Sequence, residues 1–232
     1  MARTVNEHEY AVKRAEILAA TWRLMCRKGY DQITIKDILD ELKISKGAFY
    51  HYFDSKQDLL EALLNRLEQE HAQIFALIVH EPDLPTISRL QRYFDHISRW
   101  KVAQKANLLS LLRSWYADEN AVVRLRAQTT LLTHIGPLLG ELIAQGVAEG
   151  ELTTDFPDLA GTIVISMLVG LGDAFARMLL TPTPQPDALP VAERMVAAYN
   201  DALERVLGAR PGSLQLIDAA TTRTWFEAGG VV

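Results

Sequence analysis

One cysteine in 232 residues rules out an intrachain disulfide framework. Cys26 falls within an apolar helical stretch, which predicts a buried thiol in a reducing compartment, and no sequence neighbour has an activating role. The chain also lacks a G-x-S-x-G elbow, a P-loop and any Cys/His cluster at metal-ligand spacing. Glu68-x-x-His71 is one half of a bundle di-iron pattern. His8, His51, His80, His96 and His134 and their neighbours do not supply the other half. An enzyme is therefore not expected, nor a metal or cofactor. No alternating strand pattern, repeat or low-complexity tract is present. No N-terminal apolar run resembles a signal peptide, and no stretch reaches roughly 18 uninterrupted apolar residues. The most apolar segment, Leu159 to Leu180, is broken by Asp173 and Arg177 and reads as a buried helix. A cytoplasmic protein without a membrane partner is expected.

What is present is a large apolar share, 49%, ample for one large domain or two small ones. The net charge of -5 is unevenly spread. Residues 1–56 hold 10 of the 24 Lys and Arg and 8 of the 29 Asp and Glu, a net of +2, leaving -7 for the rest. An acidic remainder repels nucleic acid and leaves the N-terminal face as the one able to dock on it.

That face contains the most informative stretch, Ile33 to Phe53: ITIKDILDELKISKGAFYHYF. Thr34 has N-cap chemistry, and Asp37 three residues on completes a variant capping box. Ile35, Ile38, Leu39 and Leu42 recur at helical spacing. Lys43-Ile44 leaves room only for a turn before Ser45, a second N-cap. Lys46 to Tyr52 forms the next helix, with Phe49 and Phe53 pointing inward. Ser55 and Asp58 open a long helix. Helix, short turn, helix is the helix-turn-helix pattern. Its second helix offers lysine, glycine, histidine and two tyrosines outward, which suits phosphates and base edges better than a core.

The rest of the chain reads as helices throughout. A first helix runs from about His8 to Lys28, stopped by Gly29-Tyr30 in left-handed cap geometry, after an N-terminal arm (residues 1–7) that reads as a frayed, disordered tail, with Arg3 touching DNA as the alternative. Further helices are expected over 55–79, after Thr86 towards Trp100, and over 105–116. Others cover 121–148, with a kink at Gly136-Pro137, then 156–180 capped by Asp155 and Asp158, and 189–207. Thr-Pro-Thr-Pro-Gln-Pro at 181–186 is a loop, and one more short helix falls within 214–226. The fold class is all-α, with about nine helices. Residues 1–54 form a three-helix helix-turn-helix domain, 55–210 a helical ligand-binding and dimerisation domain, and 211–232 a partly ordered extension.

In the helix-turn-helix docking mode the N-terminal turn of the second helix points at base edges. Lys46 can donate to guanine O6 or N7, and Gly47 lets the backbone come close. His51 can reach a base or a phosphate. Tyr50 and Tyr52 can donate hydroxyl hydrogen bonds to phosphates, and Lys56 adds charge to a helix start that favours anions.

ILAATWRLMCRKGYDQITIKDILDELKISKGAFYHYFDSKQDLLEALL resembles the N-terminal domain of the tetracycline-repressor (TetR) family of transcriptional regulators. The likeness covers roughly residues 14–64 without a gap and includes the S-K-G-x-x-Y-x-Y-F block. Lys43 departs from it, since the family usually has glycine there. The resemblance implies phosphate contacts at Thr34, Tyr50 and Lys56, and groove contacts near Lys36, Lys46, Gly47 and Ala48. It also implies a homodimer built from the last two long helices, a palindromic double-stranded DNA operator, and a repressor released by a small-molecule inducer. The inducer pocket would lie among helices five to eight, with Tyr93, Trp100, Leu112, Trp115, Tyr116, His134 and Met167 as candidates and Arg113 for an anionic ligand. The competing reading is a helical adaptor whose DNA-binding head has degenerated and which binds a protein.

Overall fold

Ten α-helices and one short 3-10 turn follow one another along the described chain, and no strand occurs among the described residues. The computed structural model describes residues 7–226 apart from 31, 82–83 and 182–186. Arg3 and most of the proline-rich loop lie outside them. The helices are α1 (Glu7–Lys28), α2 (Ile35–Leu42), α3 (Lys46–Tyr50), α4 (Lys56–Val79) and α5 (Thr86–Ala103). Then come α6 (Lys105–Tyr116), the turn Asp118–Asn120, α7 (Ala121–Ala148), α8 (Pro157–Leu180), α9 (Ala188–Leu207) and α10 (Ala219–Phe226). The short tail helix expected within 214–226 is α10, and the described residues hold ten helices where about nine were expected.

The chain divides into two units. The first takes in the chain up to Leu67 together with Ala106–Ala127; the second holds Glu68–Lys105 and everything from Gln128 onward. The first unit thus extends past the expected boundary at residue 54. Its core shows why: Leu59, Leu60 and Leu63 of α4, with Leu111 and Val123, pack around Ile38, Phe49 and Phe53. A three-helix module alone would leave those rings uncovered.

In the first unit, α1 buries Ile17, Leu18, Ala20, Thr21, Leu24 and Met25 along one stripe. Glu7 and Glu9 sit in its first turn and Arg27 and Lys28 in its last, each matched to the helix dipole. Gly29 ends it at a φ of 78° and returns its N–H to the Met25 carbonyl at 2.9 Å. Cys26 corrects the sequence reading. It is exposed, because Leu24 and Met25 occupy the buried stripe and the next position turns about 100° away from it. The Asn107 side-chain amide donates to its sulfur at 3.0 Å.

Helix α7 continues as one helix through Pro137, the place of the expected kink. Ile135, Leu139, Leu142 and Ile143 are fully buried on both sides of the proline, so packing holds the helix where one hydrogen bond is missing. The start of α8 also differs from expectation. Asp155 is not its cap: Phe156 occupies the N-cap position with no side-chain bond, and Pro157 supplies the preset first turn. Ala160, Val164, Ile165, Leu171 and Phe175 of α8 face the core, while Leu159 and Ile163 stay 55% and 42% exposed. The helix is therefore only half buried. By length and composition the span Asp118–Ala148 and α8 could each cross a membrane, a test that the core helices of soluble proteins also pass.

The tail is anchored. Leu214 and Leu216 lie in the core of the second unit. Their N–H groups donate to the buried Glu204 carboxylate at 3.0 Å and to Asn200 Oδ1 at 2.9 Å. Helix α10 then sets Phe226 edge-on against Phe175, with ring centroids 4.9 Å apart.

Candidate nucleic-acid interface

Local chemistry fixes each end of α2 and α3. Thr34 and Asp37 form a full capping box: Asp37 N–H donates to Thr34 Oγ1 at 3.2 Å, and Thr34 N–H donates to Asp37 Oδ2 at 2.7 Å. The Thr34 hydroxyl also donates to Asp37 Oδ2, at 2.6 Å, and Lys28 Nζ approaches the same oxygen at 2.7 Å. Lys28 first, then the Thr34 hydroxyl and backbone, hold the Asp37 carboxyl well below the usual carboxylate range. Both Thr34 donors are thereby engaged within α2, so this side chain sets the helix start. Arg27 and Arg23 meet Glu41 at 2.5 and 3.6 Å and tie α1 to α2.

The turn between α2 and α3 passes through Lys43, whose φ of 52° makes it the one non-glycine residue at positive φ among those described. Its N–H and that of Ile44 both reach the Leu39 carbonyl, closing the end of α2. The position that the resemblance marks for glycine does require left-handed backbone. Lysine accepts that geometry at a cost of roughly 1–2 kcal/mol. Ser45 then caps α3, accepting the Ala48 N–H at 3.1 Å.

Helix α3 has only five residues. Phe49 and, just beyond it, Phe53 are buried inward as expected. Lys46, Gly47, Tyr50 and His51 are exposed, Ala48 is half-buried, and Lys36 stands exposed on α2. A Cβ on Gly47 would meet nothing nearer than Ser45 Oγ at 3.9 Å. The module's own packing therefore does not demand glycine there.

Two expected outward residues are more occupied than the sequence implied. Tyr52 is half-buried and lies against Tyr10 of α1, ring centroids 4.9 Å apart. Lys56 donates from Nζ to the Tyr30 carbonyl at 3.1 Å, with its ammonium 4.5 Å above the Tyr30 ring. The Tyr30 hydroxyl donates in return to the Lys56 carbonyl at 3.2 Å. Sequence reading missed Tyr10 altogether. Its only signal was an aromatic on the polar side of α1, four residues before Arg14.

The eight ligand candidates are divided between the two units. Leu112, Arg113, Trp115 and Tyr116 belong to the first unit. There Trp115 packs on the core, and the Arg124 guanidinium lies 5.1 Å over Tyr116. Tyr93, Trp100, His134 and Met167 belong to the second. In that unit Tyr93 is buried against Phe75 with ring centroids 3.9 Å apart, and burial pushes its hydroxyl pKa upward. His134 Nδ1 lies 3.2 Å from Glu68. Trp100 meets His71 edge-on at 4.5 Å, and His96 lies 5.8 Å from His71. Burial, then the neighbouring His96 and Lys101, hold His71 below the ordinary imidazole range. His71 Nδ1 and His96 Nε2 are buried atoms without a hydrogen-bond partner among the described residues. The sequence reading weighed both histidines only as metal ligands. Their inward placement depends on how α4 and α5 pack.

A capped helix, a tight turn and a short helix with a polar outward face define a helix-turn-helix DNA-binding regulator. Residues 17–63 match the family described as "Bacterial regulatory proteins, tetR family". The N-terminal segment is thus that of the TetR family of transcriptional regulators. The chain is 24% identical to the HTH-type transcriptional regulator TtgR of Pseudomonas putida over 187 residues, 78% of this chain and 87% of that protein. An uncharacterized HTH-type regulator of Lactococcus lactis subsp. lactis is 35% identical over 91 residues, 37% of this chain and 46% of that protein. This chain thus spans about half the length of that relative. The crystal structure of a TetR-family regulator from Pectobacterium atrosepticum superposes with a TM-score of 0.64 at 19% identity, covering 88% of this chain and 98% of the other. That likeness speaks for the fold.

Proposed function

We propose that the chain is a repressor that binds a roughly palindromic operator as a homodimer and leaves it when a small molecule binds the second unit. The observation that carries the DNA reading is Gly47. It sits on an exposed helix start, between Lys46 and Ala48, at a place where the fold itself has room for a side chain. A bare backbone at that point suits close approach to a base edge or phosphate, with Lys46 and His51 beside it. Tyr50 and Lys56 would take phosphates. Thr34 contributes by fixing the start of α2, and Lys36, Ala48 and Tyr52 complete the contact face. Repression is the simplest output of such occupancy, because a protein seated on DNA excludes polymerase without any further contact.

Dimerisation is supported by α8 and α9. Phe156, Leu159, Ile163 and Val191 are exposed apolar residues on or beside these helices. An open groove of about 600 Å³ runs between the two helices, lined by Ile163, Met167, Ala198 and Tyr199 among others. A second copy would remove that surface from water.

Ligand response is supported by Glu68, His71, His96, Trp100 and His134, a polar and aromatic group of the second unit. Its two unpartnered ring nitrogens suit a ligand with hydrogen-bonding groups. Helix α4 carries Glu68 and His71, and its first half, up to Leu67, belongs to the DNA-binding unit. A ligand that repositions the second half of α4 therefore shifts the equilibrium of the head.

Fluorescence anisotropy on the DNA upstream of the protein's own coding region tests this reading, followed by a screen for compounds that release the complex. Binding with a stoichiometry of two chains per palindromic site, and release by at least one compound, are expected. An absence of binding to that DNA and to an operator pool selected from random duplexes would overturn it. Capture of a protein in its place would favour the adaptor.

A further inference from the structure

We propose that Tyr10 and Arg14, which precede the family-matched segment, are positioning residues that hold the exit of the recognition helix in its DNA-reading geometry. The proposal rests on the DNA-binding reading above. The match begins at residue 17, so neither side chain belongs to it. They lie four residues apart on α1 and share one face of that helix. The Tyr10 ring sits 4.9 Å from Tyr52 at 39° and 5.6 Å from His51 at 82°. His51 and Tyr52 meet each other at 4.9 Å and 78°. One turn along α1, the Arg14 guanidinium lies 4.8 Å from the centroid of the Phe53 ring. Three consecutive residues, His51 to Phe53, are thus touched by two side chains of one helix face.

The reason for such a clamp is the shortness of α3. Five helical residues cannot hold themselves, since isolated helices below about 12 residues are marginal even in favourable sequences. Ser45 fixes the start, and Phe49 and Phe53 anchor the inward face. Nothing in the helix itself fixes the outward rings at its end. His51 is exposed and Tyr52 half-buried. Without a neighbour each would sample several rotamers and would have to be ordered when DNA binds. Tyr10 orders them in advance, and Arg14 covers Phe53, the last inward anchor. Neither residue needs to touch DNA to do this.

The test uses the full chain and an operator selected by the wild-type protein from random duplexes. Affinity is measured against that operator and against calf-thymus DNA over a salt series. Tyr10→Ala is expected to weaken operator binding about tenfold, the effect of leaving two side chains to be ordered on binding. Affinity for calf-thymus DNA should change less, and the salt slope should stay the same, because no phosphate contact is lost. Tyr10→Phe should restore wild-type binding, since the ring carries the effect. The His51 ring-proton resonances should move in Tyr10→Ala and stay in Tyr10→Phe. Arg14→Gln should weaken operator binding with an unchanged salt slope. If Tyr10→Ala does not fold, Tyr10→Leu, apolar but ringless, takes its place.

Unchanged operator affinity in the ringless variant would overturn the proposal. So would a Tyr10→Phe variant as weak as the ringless one, which would make the hydroxyl the active group. A salt slope reduced by about one in either variant would overturn it too, by revealing a direct phosphate contact. A wild-type chain that enriches no duplex at all would instead remove the DNA-binding reading itself.

Discussion

Gly161 of α8 lies directly against Gly140 of α7: a Cβ added to Gly161 would fall 2.4 Å from the Gly140 nitrogen and 2.2 Å from the Gly136 carbonyl oxygen. Two helix backbones meet there with no room for any side chain. Gly161 thus serves the core of the second unit. Gly161→Ala must push α7 and α8 apart, an overpacking that typically costs about 1–3 kcal/mol and occasionally more. A fall of several degrees in melting temperature is expected by calorimetry. An unchanged melting temperature would mean that the helices can separate freely.

Lys43 carries strain of the opposite kind. Glycine at this left-handed position would relieve about 1–2 kcal/mol and add about 0.4–1 kcal/mol of unfolded-state entropy. Lys43→Gly should thus stabilise the chain by about 0.5–1 kcal/mol, read as a shift in urea midpoint. A destabilised variant would show that the lysine side chain contributes more than its backbone costs.

The Lys28–Asp37 pair makes the first unit sensitive to acid. Asp37 is held below its ordinary value, near 3.9 in an unfolded chain. Its contribution is therefore complete above about pH 5 and is lost as pH falls through and below 4. Asp37→Asn should be less stable than the wild type at pH 7, and the gap should close towards pH 2.5. A gap that does not vary with pH would assign the effect to packing.

Gly47→Ala separates folding from binding. With open space around the new methyl, and alanine better in a helix by about 1 kcal/mol, thermal stability should hold or rise. Operator affinity should drop about tenfold or more. Equal affinity would remove the close-approach role.

Lys56 has two partners in view, the Tyr30 carbonyl and, in the proposed complex, a phosphate. Lys56→Gln should lower the melting temperature slightly and weaken operator and random DNA alike. The slope of log affinity against log salt should become shallower by about one phosphate's worth. An unchanged slope would confine Lys56 to holding Tyr30.

The DNA-binding head was legible because its signals are local. Thr34 with Asp37, and Ser45 with Ala48, act over three residues, and Phe49 and Phe53 share an inward face four residues apart. A capping box or a helical stripe works through neighbours in the chain, so the sequence alone fixes helix starts, stops and inner faces. The positive φ at Lys43 had one signal, the glycine that the resemblance marks at that position.

What escaped depends on which helices meet. Cys26 and Met25 are adjacent in sequence, yet one is exposed and the other buried, and a rotation of about 100° decides it. Tyr10 gains meaning only because α1 passes beside the end of α3. Leu111 and Val123 complete the first core from more than forty residues beyond Leu67. Of the eight ligand candidates, four pack in each unit, a division that no periodicity records. The sequence by itself determined an all-α chain with a capped helix-turn-helix. Tertiary packing alone decided which glycine joins α7 to α8, which rings meet at the end of α3, and which histidines turn inward. Those outcomes depend on close packing between segments distant in the chain, where a fraction of an ångström separates contact from clash.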